Sequence, residues 1–268
     1  MAGIQRRSAG IVLKSAREIG LMRQAGGLVW RILERMEELV GPGVTTGELN
    51  EVAEKMIAEA GASALFKGVR TPHARIAFPA ALCTSVNNEV VHGIPGDRKL
   101  REGDIVSIDC GVKLNGYCGD SARTYPVGRV DGRVRHLLDV TRRALDLAIA
   151  EVRVERRWSE IAVRLQAFVE GQGLSVVREF VGHGIGREMH EEPKVPNFHD
   201  RSQKKSDFVL EPGLTLAIEP MVNLGGAAVE YARPERWVVV TRDGSQAAHF
   251  EHTVAVTKNG ADILTLGP

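Results

Sequence analysis

Residues 104–126 read DIVSIDCGVKLNGYCGDSARTYP. Two β-prone runs flank Asn115-Gly116, a dipeptide that accepts the positive φ angles of a tight two-residue hairpin turn. With those two as the turn, Leu114 faces Tyr117, Gly111 faces Asp120 and Asp109 faces Ala122. Side chains alternate with period two, so Asp109 and Asp120 share one face as diagonal neighbours. Such neighbours lie about 7–8 Å apart, somewhat less at Cβ, close enough for two carboxylates to converge on one ion. Gly111, opposite Asp120, leaves room there. The other face carries Val106, Ile108, Cys110 and Val112, a core pattern. The plainer reading makes both aspartates solvent-facing. Against it, Asp suits a strand interior poorly, and a sheet covered by helices needs buried faces.

Two further runs share the oddity. In Thr215-Leu-Ala-Ile-Glu219-Pro220 an apolar run ends in Glu, and in His249-Phe-Glu251-His-Thr-Val-Ala-Val256 a strand carries a Glu among apolar neighbours. Each glutamate alone reads as an edge residue. Four buried carboxylates together would repel and desolvate at a cost of several kcal/mol without cations. Of eight histidines, His73, His136 and His199 read as surface residues. His183 lies in Val181-Gly-His-Gly-Ile-Gly186, where the flanking glycines permit close approach of backbone and ligand. His190 and His92 sit in short Pro-containing segments, Met189-His-Glu-Glu-Pro193 and His92-Gly-Ile-Pro95.

Outward from the hairpin, Ser15 with Glu18 forms a capping box that opens a helix to about Val40, stopped by Gly41-Pro42-Gly43. Thr45 with Glu48 opens a second helix ending at Gly61. Residues 62–102 read as loop and short strand. Helices are predicted again over about 132–153 and 158–170, with strand and loop to the end. An offset of 112 residues pairs Glu48 with Glu160 and Gly61 with Gly173, suggesting half-repeats at about 15–130 and 131–260. The expectation is one α+β catalytic domain over 1–268, with a short N-terminal segment at 1–14.

The 268 residues are 43% hydrophobic and 26% charged, with 35 basic and 34 acidic side chains for a net charge of +1. That balance gives no reason to expect nucleic acid or an anionic membrane as partner. No run approaches the roughly 20 apolar residues of a membrane helix. Three cysteines without a CxxC pair and without a leader point to the cytoplasm.

The segments NNEVVHGIPG, DIVSIDCGVKLNGYCGDSARTYPVG, VGHGIGREMHEEPKVPNF, LTLAIEPMVN and AAHFEHTVAV occur in an order and spacing that resemble the type I methionine aminopeptidases. The resemblance runs from the Ser15 helix to about Asn259 and implies the pita-bread fold. It implies two divalent ions per chain (Mn, Fe(II) or Co before Zn) held by Asp109, Asp120, His183, Glu219 and Glu251. Asp120 and Glu251 would bridge both ions. His183 and Glu219 would complete one site, and Asp109 the other. His92 and His190 match two further active-site histidines, and Trp237 an aromatic beside the substrate. Met189 stands where the family usually carries Phe. Segment 63–82 departs from the family and leaves the methionine-pocket residues unassigned.

The implied activity is excision of the initiator methionine from nascent chains when the second residue is small, by attack of a metal-activated hydroxide. Glu219 would move the proton, His190 would stabilise the oxyanion and His92 would orient the amide. The implied enzyme is monomeric, acts near the ribosome exit, and needs neither nucleic acid nor membrane. Its own Met1-Ala2 would be a substrate. The alternatives are an X-Pro dipeptidase or aminopeptidase of the same fold, and a metal-free binding module.

Overall fold

The computed structural model describes residues 10–200, 206–232 and 234–267. Residues 1–9 of the expected N-terminal segment, with Met1-Ala2, lie outside the described residues.

Helix α1 (Ala16–Leu39) begins where both bonds of the Ser15–Glu18 capping box form, and α2 (Thr46–Glu59) begins at the same device built from Thr45 and Glu48. Each box satisfies backbone N–H groups that the first turn leaves without helical partners. Short strands follow: β1 (Ser63–Ala64), β2 (Leu82–Val86) and β3 (Glu89–Val91), then the long hairpin of β4 (Ile105–Leu114) and β5 (Tyr117–Pro126). The helix pair then recurs as α3 (Gly132–Ala150) and α4 (Trp158–Gly171). Asp131 caps α3 through bonds from the Arg133 and Val134 amides. Arg157 cannot cap α4, and Asp207 reaches in instead, accepting from the Ser159 amide at 3.0 Å and the Ser159 hydroxyl at 2.9 Å. The remaining strands are β6 (Ser175–Val176), β7 (Gly182–Gly184), β8 (Glu191–Val195), β9 (Thr215–Ile218), β10 (Met221–Asn223), β11 (Val229–Tyr231), β12 (Val239–Thr241), β13 (Ala247–His249), β14 (His252–Thr257) and β15 (Gly260–Ile263).

All strand pairings among the described residues are antiparallel. Strand β4 pairs with β5 along its whole length and with β2 and β1 on its other edge. A five-stranded sheet runs β15-β14-β9-β7-β8, and two three-stranded sheets run β13-β10-β6 and β11-β12-β3. The hairpin register is the expected one, Leu114 with Tyr117, Gly111 with Asp120 and Asp109 with Ala122, around Asn115 (φ 52°) and Gly116 (φ 80°).

Val106, Ile108, Cys110 and Val112 pack against Leu28, Val29, Ile32, Leu33 and Met36 of α1 and against α2. A second core joins α3 and α4 to β9 and β14 through Leu137, Leu145, Trp158, Leu165, Leu216 and Val254. Each such side chain contributes about 1.5–3 kcal/mol relative to exposure. Helices therefore hold one face of each main sheet and leave the opposite faces to meet.

The two sheets are joined along the outer edge of β5 by buried hydroxyls. Ser121 donates to the Glu251 carbonyl at 2.5 Å, Thr124 to the His249 carbonyl at 2.8 Å, and Thr253 to the Asp120 carbonyl at 2.7 Å. The Glu251 amide donates to Ala122 O at 2.9 Å. Strand β5 is thus tied to the β13–β14 segment residue by residue, and Asp120 comes to lie beside Glu251.

Close approach of α1 to β5 depends on glycine. A Cβ on Gly119 would meet the Gly26 amide nitrogen at 2.6 Å and the Ala25 carbonyl carbon at 2.9 Å. Neither backbone can yield cheaply. Gly119→Ala is expected to destabilise the fold by about 1–3 kcal/mol, the usual cost of overpacking, read as a lower urea midpoint at unchanged slope. An unchanged midpoint would refute this packing argument.

Candidate metal centre and active site

Asp109 and Asp120 project from the hairpin face opposite the core, with Gly111 between them. A Cβ on Gly111 would stand 3.2 Å from Asp120 Oδ1 and 3.1 Å from the Phe66 ring. The glycine keeps that carboxylate free to turn.

Glu219 and Glu251 are placed by a break shared between two paired strands. Strands β9 and β14 pair down to Ile218 with His252, and pairing resumes at Met221 with His249 in β10 and β13. Residues 219–220 and 250–251 lie in the gap, where each chain passes from the five-stranded sheet to a three-stranded one. Pro220 has no N–H to continue the ladder. Glu251 was expected within one continuous strand; it lies instead at this crossing. There its carboxylate leaves the strand alternation and turns toward Asp120.

His183 is the middle residue of β7. A Cβ on Gly182 would meet Ala217 O at 2.3 Å, and one on Gly184 would meet Glu192 O at 2.2 Å. The flanking glycines therefore let neighbouring backbones close on both sides. His183 Nδ1 lies 2.9 Å from Gly184 O, so it carries the proton and donates to that carbonyl, leaving the Nε2 lone pair free. Nε2 stands 3.6 Å from Glu219 Oε1 and 4.0 Å from Asp120 Oδ2.

The five residues expected together are together. Ligating atoms of Asp120, His183 and Glu251 lie within 4.8 Å of one another. Asp109 and Glu219 line the same cavity, of about 230 Å³, with His92, His190 and Trp237. Of the seven buried side-chain polar atoms without a hydrogen-bond partner among the described residues, four are here: Asp109 Oδ1, Asp120 Oδ1, Glu251 Oε1 and His249 Nε2. Burial pushes the Asp120 carboxyl up to about 7. Burial and then neighbouring carboxylates push Asp109, Glu219 and Glu251 well above the usual range. Burial, then the neighbouring His190 ring, holds His183 and His92 down to about 4. Unpaired acceptors, mutual repulsion and a neutral imidazole form a donor set that divalent cations fit.

His190 is exposed at the mouth, its ring centroid 4.4 Å from that of His183. The loop carrying it is braced from below. The buried Lys14 Nζ lies 2.5 Å from Glu191 Oε2, and Glu191 Oε1 accepts from the Arg187 and Glu188 amides. His92 has φ 62°, a backbone conformation rare for a residue with a Cβ, and its ring meets Phe180 and Trp237 edge-on. Gly93 follows because a Cβ there would meet Thr84 O at 2.2 Å.

Segment 63–82 supplies an aromatic wall the sequence left unassigned. Phe66 and Phe78 pack edge-to-face at 6.5 Å, and Phe78 on Trp237 at 5.2 Å. Trp237 Nε1 donates to Ile76 O at 2.8 Å, which leaves its ring face apolar. The signal was two phenylalanines in a stretch otherwise rich in Ala. His249, buried beside Glu219 and Glu251, was also missed.

The model of metallopeptidase family M24 matches residues 20–258. The chain belongs to that family. Methionine aminopeptidase 1 of Bacillus subtilis (strain 168) is 46% identical over 255 residues, 95% of this chain and 99% of that relative. The crystal structure of methionine aminopeptidase from Rickettsia prowazekii superposes with a TM-score of 0.89 at 36% identity, over 96% of this chain and 100% of that one. A Xaa-Pro dipeptidase from Bacillus anthracis reaches a TM-score of 0.73 at 21% identity, over 96% of this chain and 62% of that one, a likeness of fold alone. The M24 fold here is the α+β pita-bread arrangement, and the family membership makes this a metallopeptidase.

The carboxyl shifts have a measurable consequence. Below about pH 7.5 the unfolded chain binds protons on histidines that the fold keeps neutral, a slope common to the metal-free and metal-loaded protein. The raised carboxyls add the opposite slope to the metal-free protein alone, whose stability is lost as pH rises through their folded values, about 7 for Asp120. The stabilisation by Mn(II) over EDTA is therefore expected to grow as pH rises from about 6 to about 8. Thermal melts in the two conditions check this; parallel profiles would contradict it.

Proposed function

We propose that this chain removes the N-terminal methionine from nascent proteins and peptides whose second residue is small. The observation that carries the reading is the convergence of four carboxylates and one neutral imidazole, with buried oxygens of Asp109, Asp120 and Glu251 left without partners, in the cavity that Trp237 and Phe78 line. Relatives covering nearly the whole chain bear the same activity in their names.

Asp109, Asp120, His183, Glu219 and Glu251 would hold two divalent cations. Asp120 and Glu251 would be shared, His183 and Glu219 would complete one site, and Asp109 the other. Oxygen-rich donors with one imidazole favour Mn, Fe(II) or Co, with Zn also accommodated. Two such cations, when bound, acidify water and polarise a carbonyl.

The chain's own groups supply the rest. Glu219 takes the proton of the attacking water and passes it to the leaving amine. His190 donates to the carbonyl oxygen as charge develops there. His92 orients the scissile amide, and the Phe66–Phe78–Trp237 wall receives the methionine side chain. A second residue with a bulky side chain would collide with the His92 loop, and a displacement of about 1 Å can cost roughly 100-fold in rate. The X-Pro reading rests on likeness of fold alone, and a metal-free binding module would not need all five donors.

We read residues 1–268 as one catalytic domain with half-repeats at about 15–130 and 131–260, working as a cytoplasmic monomer near the ribosome exit. No nucleic acid or membrane is required, and no helix among the described residues is long and apolar enough to cross a membrane.

The deciding experiment is a cleavage panel of Met-Ala-Ser, Met-Lys-Ser and Ala-Pro-Ser with Mn, Fe(II), Co and Zn in turn. Rapid cleavage of the first, near-inertness of the second and loss of activity in EDTA are expected. Comparable turnover of Met-Ala-Ser and Met-Lys-Ser, or preference for Ala-Pro-Ser, would overturn the assignment.

His190→Ala is expected to lower kcat by about 10²–10³-fold with normal metal content, the scale for losing one oxyanion donor. Wild-type kcat in that variant would remove His190 from the mechanism.

A further inference from the structure

One buried imidazole in the cavity has no part in the chemistry above. His249 ends β13 two residues before Glu251 and is 2% exposed. Its backbone is clamped. The amide donates to Thr124 Oγ1 at 2.8 Å, and the same hydroxyl donates to the His249 carbonyl at 2.8 Å. Ser107 Oγ lies 2.8 Å from Thr124 Oγ1; since the Thr124 proton is already committed, Ser107 is the donor there. Across the ladder His249 pairs with Met221, two residues beyond Glu219. Strand register therefore fixes where the ring stands relative to both glutamates.

The ring nitrogen Nε2 has no hydrogen-bond partner. It faces Glu219 Oε2 at 3.7 Å and Glu251 Oε2 at 3.9 Å. His183 Nε2 faces the other oxygen of Glu219, Oε1, at 3.6 Å. The two oxygens of Glu219 are thus divided between two imidazoles. Oε1 faces His183 and, through it, Asp120; Oε2 faces His249. That division makes the two histidines unequal. A carboxylate that gives one oxygen to an ion leaves the other needing a donor, and ligating carboxylates are ordinarily held by such outer hydrogen bonds. Only about 0.7 Å separates the 3.7 Å gap from ordinary N–H···O contact near 3.0 Å. Rotation about the Glu219 side chain covers that distance.

We infer that His249 is a positioning residue of the metal centre: its Nε2–H donates to Oε2 of Glu219 and presents Oε1 to the ion shared with His183. The inference rests on the metal-binding reading of Glu219 given above. It assigns His249 an effect on metal affinity, where removal of an outer donor typically costs 10–100-fold.

The test reads affinity instead of turnover. Metal-free wild type, His249→Gln, His249→Asn and His249→Leu are titrated calorimetrically with Mn(II). The Gln amide reaches about as far as Nε2 and is expected to keep the first-ion affinity within about threefold. The Asn amide is one methylene short, and Leu has no donor; both are expected to bind about 10–100-fold more weakly. Melts in EDTA separate this effect from a folding defect. Each variant that folds is expected to melt near wild type without metal and to gain less from Mn(II) when its donor is missing. Wild-type affinity in His249→Leu, or in His249→Asn should the Leu variant not fold, would overturn the proposal. So would a Gln variant as weak as Asn, which would make the imidazole itself the requirement. A wild-type protein that binds no Mn(II) would instead overturn the metal reading on which the proposal stands.

Discussion

Asp109, Asp120, Glu219 and Glu251 converge on one cavity, and their repulsion is the constraint the rest of the structure serves. Two like charges about 4 Å apart at an effective dielectric near 20 cost about 4 kcal/mol. A whole domain has only about 5–15 kcal/mol of net stability. No local arrangement of side chains holds such a group together. The scaffold must do so, and it does by placing each carboxylate on backbone that has other reasons to be where it is. Asp109 and Asp120 ride on the ten-residue β4–β5 ladder, backed by α1 and α2. Glu219 follows directly on β9 and Glu251 directly precedes β14, two strands backed by α3 and α4. The buried hydroxyls of Ser121, Thr124 and Thr253 join the two systems within a few residues of the charges.

The shared ladder break at 219–220 and 250–251 is the other half of the solution. Along an unbroken strand Glu219 and Glu251 would alternate between faces with their neighbours. Pro220 removes one donor, and the paired strands pass into a second sheet. Backbone pairing resumes with Met221 opposite His249, so the interruption costs little order. The two freed glutamates both turn inward. One interruption thus places two carboxylates, and the register that follows it places the His249 ring between them.

Much of this was legible in the sequence, and the legible parts share a physical character. Asn115-Gly116 specifies both the turn and the register, so the facing of Asp109 and Asp120 followed from local rules. The capping boxes at Ser15 and Thr45 likewise act within four residues. His183, Glu219 and Glu251 stood out as polar residues against apolar or glycine-rich surroundings, and the family resemblance joined them. What stayed hidden depends on contacts between distant segments. The crossing at Glu251 is set by the pairing of two strands some thirty residues apart, and no local pattern distinguishes it from continuous strand. Phe66 and Phe78 meet Trp237 from the far side of the chain. His249 reads as one more strand residue until the ladder shows which carboxylates it faces.

The carboxylate and aromatic sides of the cavity are built differently, and the difference has a physical reason. The donor side is strand and strand crossing, stapled by backbone ladders and buried hydroxyls. The aromatic side is loop: His92 at a strained φ of 62°, His190 on the turn braced by Lys14 and Glu191, and the aromatic pair from segment 63–82. Repelling carboxylates must not drift, since half an ångström changes both their mutual energy and the geometry offered to a cation. A side-chain pocket tolerates more, because apolar contact is non-directional and a methylene is worth about 1–3 kcal/mol. Loops can therefore change without disturbing the carboxylates. This chain shows that division: segment 63–82 is the stretch that the resemblance left unassigned, while the four carboxylates and His183 meet in one cavity. Discrimination among N-terminal side chains would follow the aromatic wall, and hydrolysis itself would follow the strands.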